Sequence, residues 1–311
     1  MVEVIGLLFT VNAIITWAIA SLVYKTSLEK AEPKGSLFFR LCCVSLGTFL
    51  FSIIFGNYEF LINLNKDELI GYLLSCFISG LSVTIGDLLY YMSLRKIDAS
   101  RAYPLVQISL IFVFPLSVLL FGETLKLSVL FGGILFLISV FILSSKDESE
   151  KNHFNKNLKE KVTERVILGV FLALGAAFLW ALSIVSFNQA RLISGDVFIT
   201  NFLRVSMTVI PFFILALFQQ EYFLGFKKES RQNIKFYIYI GIAGILSLGF
   251  ADTLFYKAAE INGLVLTSAI TANTPMVQQA LSILFLKEKF RRRFLIAVIL
   301  IVIGNYIVLF I

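Results

Sequence analysis

Long apolar runs, separated by short polar stretches, follow one another along almost the whole chain. A helix that crosses the hydrocarbon core of a membrane needs about 20 mostly apolar residues. Ten segments meet this requirement, which predicts an all-α integral membrane protein. The predicted spans cover roughly residues 4–25, 36–56, 68–93, 100–121, 126–144, 166–189, 196–218, 235–258, 263–286 and 292–311.

One polar segment interrupts this pattern at its midpoint. Residues 146–165 are nearly all charged or polar, which is the composition of a solvated linker. Five predicted helices precede the segment and five follow it. The pattern therefore divides the chain into a first five-helix unit over residues 1–145, a charged linker over 146–165 and a second five-helix unit over 166–311.

Composition excludes several classes of protein. Of the 311 residues, 58% are hydrophobic and 15% are charged, whereas soluble domains are about 45–50% apolar and about 25% charged. A soluble enzyme is therefore excluded, and the net charge of +7 indicates basic membrane-flanking loops instead of a nucleic-acid partner. The three cysteines lie in apolar runs, and His153 is the only histidine. We expect no catalytic residue, no metal site and no cofactor.

The two units repeat the same chemically distinctive residues in the same order. A tryptophan lies in the first helix of each unit, an arginine in the second, an aspartate in the third and a glutamate at the end of the fourth. The equivalent positions are Trp17 and Trp180, Arg40 and Arg204, Asp87 and Asp252, and Glu123 and Glu288, at offsets of 163, 164, 165 and 165. Four ordered matches at nearly constant offset predict an internal structural repeat.

The distribution of basic residues predicts the orientation of each unit. Of the 27 Lys and Arg residues, 21 fall in the connections 1–2, 3–4, 5–6, 7–8 and 9–10. Excess positive charge marks cytoplasmic loops, so both termini are predicted to be extracytoplasmic. The basic connections follow helices 1 and 3 in the first unit but helices 7 and 9 in the second, as an odd number of helices per unit requires. Inverted repeats of this kind are typical of secondary transporters.

The chain resembles the drug/metabolite transporter superfamily, specifically its EamA-type ten-helix transporters. The resemblance rests on the repeated Trp, Arg and Asp positions and on the helix ends 121–123 (Phe-Gly-Glu) and 286–288 (Leu-Lys-Glu). Pro275, which precedes Glu288 by 13 residues, also fits the family pattern. The resemblance implies a multi-pass cell-membrane protein that transports small molecules such as amino acids, metabolites or drugs. No residue selects among these substrates.

Four charged residues inside the predicted helices are candidates for gating or coupling. Arg40 and Asp87 lie toward the cytoplasmic side, and Arg204 and Asp252 occupy the mirrored positions toward the other side. A charge within a membrane helix costs at least about 2.5–3.5 kcal/mol, so each requires a partner or a function. One Arg–Asp pair per unit, at opposite depths, would suit an alternating gate. A static salt bridge between neighbouring helices requires the same contact, and both interpretations stay open.

Aromatic and amide side chains within the spans are candidates for a substrate-binding cavity. Tryptophan and tyrosine offer apolar rings with a polar atom, and amides hydrogen-bond polar solutes. The predicted cavity residues are Asn12, Trp17, Tyr91, Gln107, Trp180, Tyr256, Asn273 and Gln278. Core packing, interfacial placement of the tyrosines and hydrogen bonding between helices are the alternatives for each position.

These observations predict a secondary transporter that exports small amino-acid-like or amphipathic metabolites by alternating access. Coupling to protons through Asp87 or Asp252 stays open at this point. The expected partners are the small-molecule substrate and the lipid bilayer, with the chain as a monomer or homodimer. A membrane sensor on a transporter fold is one alternative. An intramembrane aspartyl protease using the two aspartates is another, although their surrounding sequences match its motifs poorly.

Overall fold

The computed structural model describes residues 3–98, 102, 105–124, 126–144, 156–227, 233–287 and 292–310. Within these ranges the chain forms ten principal helical elements and no strand. The first five are α1 (Val4–Ser27), α2 (Pro33–Phe55), α3 (Lys66–Leu94), α4 (Leu110–Phe121) and α5 (Leu127–Ser144). The second five are α6 (Lys156–Ser194), α7 (Val197–Phe218), α8 (Ile234–Asn262), α9 (Leu264–Thr271 and Thr274–Phe285) and α10 (Arg292–Phe310).

The helices confirm the predicted all-α membrane fold. Six of those described, α1, α2, α3, α6, α7 and α8, are long and apolar enough to cross a membrane. Helices α4, α5 and α10 contain shorter apolar segments. Many large apolar side chains lie on the outer surface, such as Leu119 and Phe218, which are 79% and 82% exposed. Lipid solvates such side chains as well as the protein interior does.

Helix α6 starts earlier than the apolar pattern predicts. It begins at Lys156, inside the segment interpreted as a solvated linker and ten residues before the predicted start. Residues 156–165 include three Lys, two Glu and one Arg, which are strong helix formers. The apolar helix therefore extends into the charged segment that precedes it. The division of the chain into two units stays a prediction.

The two halves are interleaved. Helix α3 of the first half packs most extensively against α6 of the second, and α1 packs in the equivalent way along α8. Helices α2 and α7 contact each other, as do α5 and α10. The third helix of each half, which carries the aspartate, therefore lies against the first helix of the other half, which carries the tryptophan.

Two glycines permit the close helix crossings beside the buried arginines. A Cβ atom added at Gly80 of α3 would overlap the backbone oxygen of Arg204 on α7. A Cβ added at Gly244 of α8 would overlap the side chain of Arg40 on α2. Small residues at helix crossings let membrane helices approach closely, and here they place α3 and α8 directly against the arginine-bearing helices.

Replacing Gly80 with alanine is expected to destabilise the protein by about 1–3 kcal/mol, because overpacking a filled interface has costs of this size. The obstacle is backbone, which cannot rotate away. Gly71→Ala on the same helix is the control, since its nearest neighbour would be Ile193 Cδ1 at 3.9 Å, an ordinary contact. Thermal unfolding in detergent should show a lower midpoint for Gly80→Ala only. Equal midpoints for the two variants would contradict the proposed close crossing.

Helix α9 is broken in its middle by Pro275. Proline lacks an N–H and clashes with the carbonyl four residues earlier, and the helix stops at Thr271 and resumes at Thr274. The freed carbonyls find side-chain donors: Asn273 donates to the oxygen of Ile270, and Thr274 donates to the oxygen of Thr271. The start of α9 is capped from the other half, where the Glu123 carboxylate accepts the backbone N–H groups of residues 264 and 265.

Basic residues from three connections that are predicted to be cytoplasmic gather at one end of the bundle. Lys34 forms a 2.8 Å ion pair with Glu221, and Arg95 forms a 2.7 Å ion pair with Glu32. Arg165 donates to the backbone oxygen of Arg95 at 2.8 Å. The connections 1–2, 3–4 and 5–6 therefore share one face, which agrees with the charge asymmetry on which the predicted orientation rests.

Candidate functional site

The first buried ion pair joins α2 to α3. Arg40 forms a salt bridge with Asp87, and both side chains are more than nine-tenths buried. The indole Nε1 of Trp180, from α6 of the other half, donates to Asp87 Oδ1 at 3.1 Å. The rings of Tyr24 and Tyr91 lie 5.1 and 5.8 Å from the guanidinium carbon. The charge of Arg40 is thus compensated by one carboxylate and two aromatic faces.

The second ion pair repeats this arrangement with the halves exchanged. Arg204 of α7 forms a salt bridge with Asp252 of α8. Trp17, from α1 of the first half, donates to Asp252 Oδ1 at 2.9 Å. The rings of Phe187 and Tyr256 lie 4.7 and 5.6 Å from the guanidinium carbon. Each aspartate is therefore bonded to an arginine of its own half and to a tryptophan of the other half.

The two pairs lie at different depths but close to each other. Trp17, which contacts Asp252, and Tyr24, which contacts Arg40, are seven residues apart on α1. Seven residues of helix correspond to about 10 Å. The predicted difference in depth is thus about two helical turns. Both pairs are closed in this structure.

A central cavity connects the two ion pairs. Its volume is about 120 Å³, and it is lined by both arginines, both aspartates and both tryptophans. Tyr90, Phe255 and Tyr256 add aromatic walls. The remaining polar lining comprises Ser21, Gln107, Ser109, Ser183, Ser247, Ser268 and Thr271. The cavity therefore combines aromatic surface, hydroxyl groups and two internally compensated pairs of charges.

Most of the predicted site residues meet at this cavity. The four gating candidates Arg40, Asp87, Arg204 and Asp252 line it, as do four of the eight cavity candidates. Those four are Trp17, Gln107, Trp180 and Tyr256. Tyr91 lies one layer behind the cavity, fully buried against the guanidinium of Arg40.

Three predicted cavity residues lie outside the cavity, so the prediction was wrong for them. Asn12 is exposed on the outer face of α1, where its amide donates to the oxygen of Leu8 at 2.8 Å. Asn273 exchanges two 2.8 Å hydrogen bonds with Asn305 and thereby joins α9 to α10. Gln278 is fully buried and donates to Ser282 one turn later. The rotation of each helix, which the sequence alone does not define, directs these amides away from the cavity.

Two groups of contact residues escaped the sequence analysis. Tyr24 and Phe187, which cover the arginines, are separated by the same 163 residues as the two tryptophans. Extending the repeat comparison along the first helix of each unit would have identified them. Asn201, whose Oδ1 accepts Arg204 Nε at 2.9 Å, carries no such signal, because the equivalent position in the first half is Leu37.

The two aspartates do not form a carboxylate dyad. Asp87 is engaged by Arg40 and Trp180, and Asp252 by Arg204 and Trp17. No hydrogen bond between the two carboxylates occurs in the described part of the chain. An aspartyl protease requires two carboxylates that share a proton, so this geometry disfavours that alternative. The described residues also contain no cluster of three His, Cys, Asp or Glu side chains able to hold a metal ion.

Comparison with protein families decides the class of the protein. The model of the EamA-like transporter family matches residues 4–145 and again residues 167–310. The chain belongs to the EamA-like transporter family. The two matches confirm the predicted family resemblance and coincide with the two halves of the fold.

Several proteins are similar to this EamA-family chain. An uncharacterized transporter of Archaeoglobus fulgidus is 26% identical over 229 residues, which cover 74% of this chain and 73% of the relative. An uncharacterized transporter of Clostridium kluyveri is 27% identical over 247 residues, covering 76% and 71%. A probable 4-amino-4-deoxy-L-arabinose-phosphoundecaprenol flippase subunit ArnF of Proteus mirabilis is 36% identical over 87 residues, covering 27% and 57%.

The fold also matches a solved structure along its full length. One crystal structure aligns with a TM-score of 0.68 and covers 98% of this chain and 96% of its own. The sequence identity is 14%, so the match concerns the fold alone. The ten-element arrangement of this EamA-family chain is therefore one that a crystallised protein also adopts.

Proposed function

We propose that the chain is a secondary active exporter of small, amphipathic, amino-acid-like metabolites and that it works by alternating access. The observation that carries this proposal is the central cavity between the two inverted halves, which is lined at once by both Arg–Asp pairs and both tryptophans. A site between inverted repeats can face either side of the membrane when the halves rock against each other.

The lining of the cavity supports an amphipathic solute with separated charges. Each Arg–Asp pair is neutral in sum, so an ion that enters alone must displace one partner from the other. A zwitterion can bond to both partners at once, its carboxylate to the arginine and its ammonium group to the aspartate. The rings of Trp17, Trp180 and Tyr256 would cover the apolar part of such a solute.

The hydrogen bonds between the halves support a gating role for the ion pairs. Each aspartate holds a tryptophan of the opposite half, so separation of the halves must break these bonds. Both Asp–Trp hydrogen bonds are formed in this structure. Opening of one Asp–Trp contact between the halves, while the contact at the other ion pair stays closed, would give the cavity access to one side only.

A thermal-shift screen of the purified protein in detergent tests the substrate class. A ligand that binds the folded state raises the unfolding temperature by mass action. We expect zwitterionic amino acids with apolar side chains to raise it, and sugars and nucleosides to leave it unchanged. Proteoliposome flux of the best ligand, with and without an imposed pH gradient, then tests export and proton coupling. Flux that is absent for every stabilising ligand would contradict the transport proposal.

Both termini are proposed to be extracytoplasmic in the cell membrane. A small epitope tag added at residue 311 should be accessible to antibody in intact cells or spheroplasts, whereas a tag inserted between residues 146 and 155 should require permeabilisation. The basic surplus in the intervening connections supports this orientation. Protection of the C-terminal tag in intact cells would contradict it. A monomer or homodimer is the proposed oligomeric state.

A further inference from the structure

The two halves differ in the turn that precedes each gating aspartate. Asp87 follows the contact glycine Gly80 by seven positions in α3, whereas Asp252 follows the contact glycine Gly244 by eight positions in α8. A π-helical segment, Ile245–Ala251, lies between Gly244 and Asp252, whereas α3 is regular α-helix over the corresponding turn. Single π-helical turns of this kind occur frequently at functional sites.

Asn201 connects this π-helical segment to the neighbouring arginine. Its Nδ2 lies 3.0 Å from the backbone oxygens of Leu248 and Gly249 and 3.1 Å from Thr253 Oγ1. Its Oδ1 accepts the Nε–H of Arg204 at 2.9 Å. One buried amide thus satisfies carbonyls of the widened turn and also orients the guanidinium that bonds to Asp252.

The first half has no counterpart to this contact. Leu37 occupies the position three residues before Arg40, as Asn201 does before Arg204. Arg40 Nε is buried against Gly244 and has no hydrogen-bond partner among the residues that the structure describes. Arg40 is therefore oriented by fewer polar contacts than Arg204, although both bond to an aspartate in the same way.

We propose that Asn201 is a positioning residue that holds the Arg204–Asp252 pair closed, so that the Arg40–Asp87 pair is the first to separate. The two pseudo-symmetric gates are then unequal. The Arg40–Asp87 pair of the first half is the weaker gate, and the Arg204–Asp252 pair of the second half, which Asn201 supports, is the latched gate. Opening begins at Arg40–Asp87, which faces the end of the bundle that is predicted to be cytoplasmic. Only the assignment of this opening to a step of the transport cycle rests on the proposed transport function.

The two tryptophans provide a separate reporter for each gate. Trp17 bonds to Asp252 and Trp180 bonds to Asp87, and the chain contains no other tryptophan. Trp180→Phe leaves Trp17 to report on the latched pair, and Trp17→Phe leaves Trp180 to report on the weaker pair. Each single-tryptophan protein is reconstituted in lipid without substrate, and quenching by acrylamide measures how readily this small neutral molecule reaches the indole.

We expect Trp180 to be quenched more strongly than Trp17. Replacing Asn201 with leucine, the residue at the equivalent position of the first half, should raise the open fraction reported by Trp17 about tenfold. Loss of one hydrogen bond to a charged group changes an equilibrium constant by about this factor. Quenching of Trp180 should not change, which separates positioning from general loss of structure. Asn201→Ser retains a donor and an acceptor and should recover part of the difference.

Two results would overturn the proposal. Equal quenching of Trp17 and Trp180 with Asn201 present would show that the gates are equivalent, and this comparison stands even if the Asn201 variants fold poorly. An unchanged Trp17 signal in a folded Asn201→Leu protein would show that the latch is not Asn201. The quenching measurement requires no substrate. Unequal quenching in a protein that shows no flux would therefore count against the transport proposal and would still support the proposed role of Asn201.

Discussion

Asp252→Ala is expected to abolish transport and to destabilise the protein by about 3–5 kcal/mol, because removing one partner of a buried ion pair leaves the other charge uncompensated. Arg204 is 1% exposed, and Asn201 and the aromatic side chains of Phe187 and Tyr256 would remain beside it without a negative charge. The variant also removes the hydrogen bond from Trp17, which joins the two halves at this position. Insertion into the membrane should persist, since it depends on the apolar spans.

Glu260→Ala on the same helix is the matched control for this prediction. Glu260 pairs with Lys257 at 2.8 Å, and both side chains are about one-third exposed, so its loss is expected to cost at most about 1 kcal/mol. Proteoliposome flux and the thermal midpoint in detergent measure both effects. Wild-type flux in Asp252→Ala would exclude the second pair from the transport mechanism.

Neutralising both members of the first pair separates a gate from a static bridge. The double variant Arg40→Gln/Asp87→Asn removes both buried charges at once and nearly conserves the volume of the aspartate side chain. Each single variant leaves one buried charge without its partner, whereas the double variant leaves none. We therefore expect the double variant to be more stable than either single variant by about 2 kcal/mol or more. Transport should nevertheless be lost.

The two interpretations differ in what they expect of this variant. A static bridge serves stability alone, so flux should return together with the thermal midpoint. A gate or substrate site requires the charges themselves, so flux should stay absent while the midpoint recovers. Recovery of wild-type flux in the double variant would therefore assign Arg40 and Asp87 a structural role. The single variants Arg40→Gln and Asp87→Asn provide the reference for the recovered stability.

Much of the architecture follows from the sequence because membrane insertion imposes strong constraints on it. Apolar length predicts the spans, and lipid leaves few alternatives to helices. The repeat is visible because Trp, Arg and Asp are rare inside membrane helices, so Trp17, Arg40 and Asp87 recur against an apolar background. The start of α6 was predicted ten residues late, since apolarity does not detect a helix that continues in charged residues such as those after Lys156.

The sequence does not predict which amide side chains line the cavity. Asn12, Asn273 and Gln278 have the same chemistry as Gln107, yet only Gln107 lines the cavity. Whether each amide lines the cavity depends on how far its helix is rotated about its axis and on which side chain faces it, such as Asn305 opposite Asn273. Packing of neighbouring helices sets that rotation, and it involves residues far apart in the chain. Local pattern therefore does not predict it.

The sequence by itself determined the all-α membrane class, the two-repeat family architecture and the charged residues that require a partner, and it predicted ten spans and an inverted second half. These properties follow from local apolarity, from rare residues repeated at constant offset and from the asymmetry of basic residues. Only the tertiary structure decided that each aspartate bonds to a tryptophan of the other half and that Asn201 supports one arginine but not its counterpart. Such contacts depend on helix rotation and crossing, which arise when the two halves pack together.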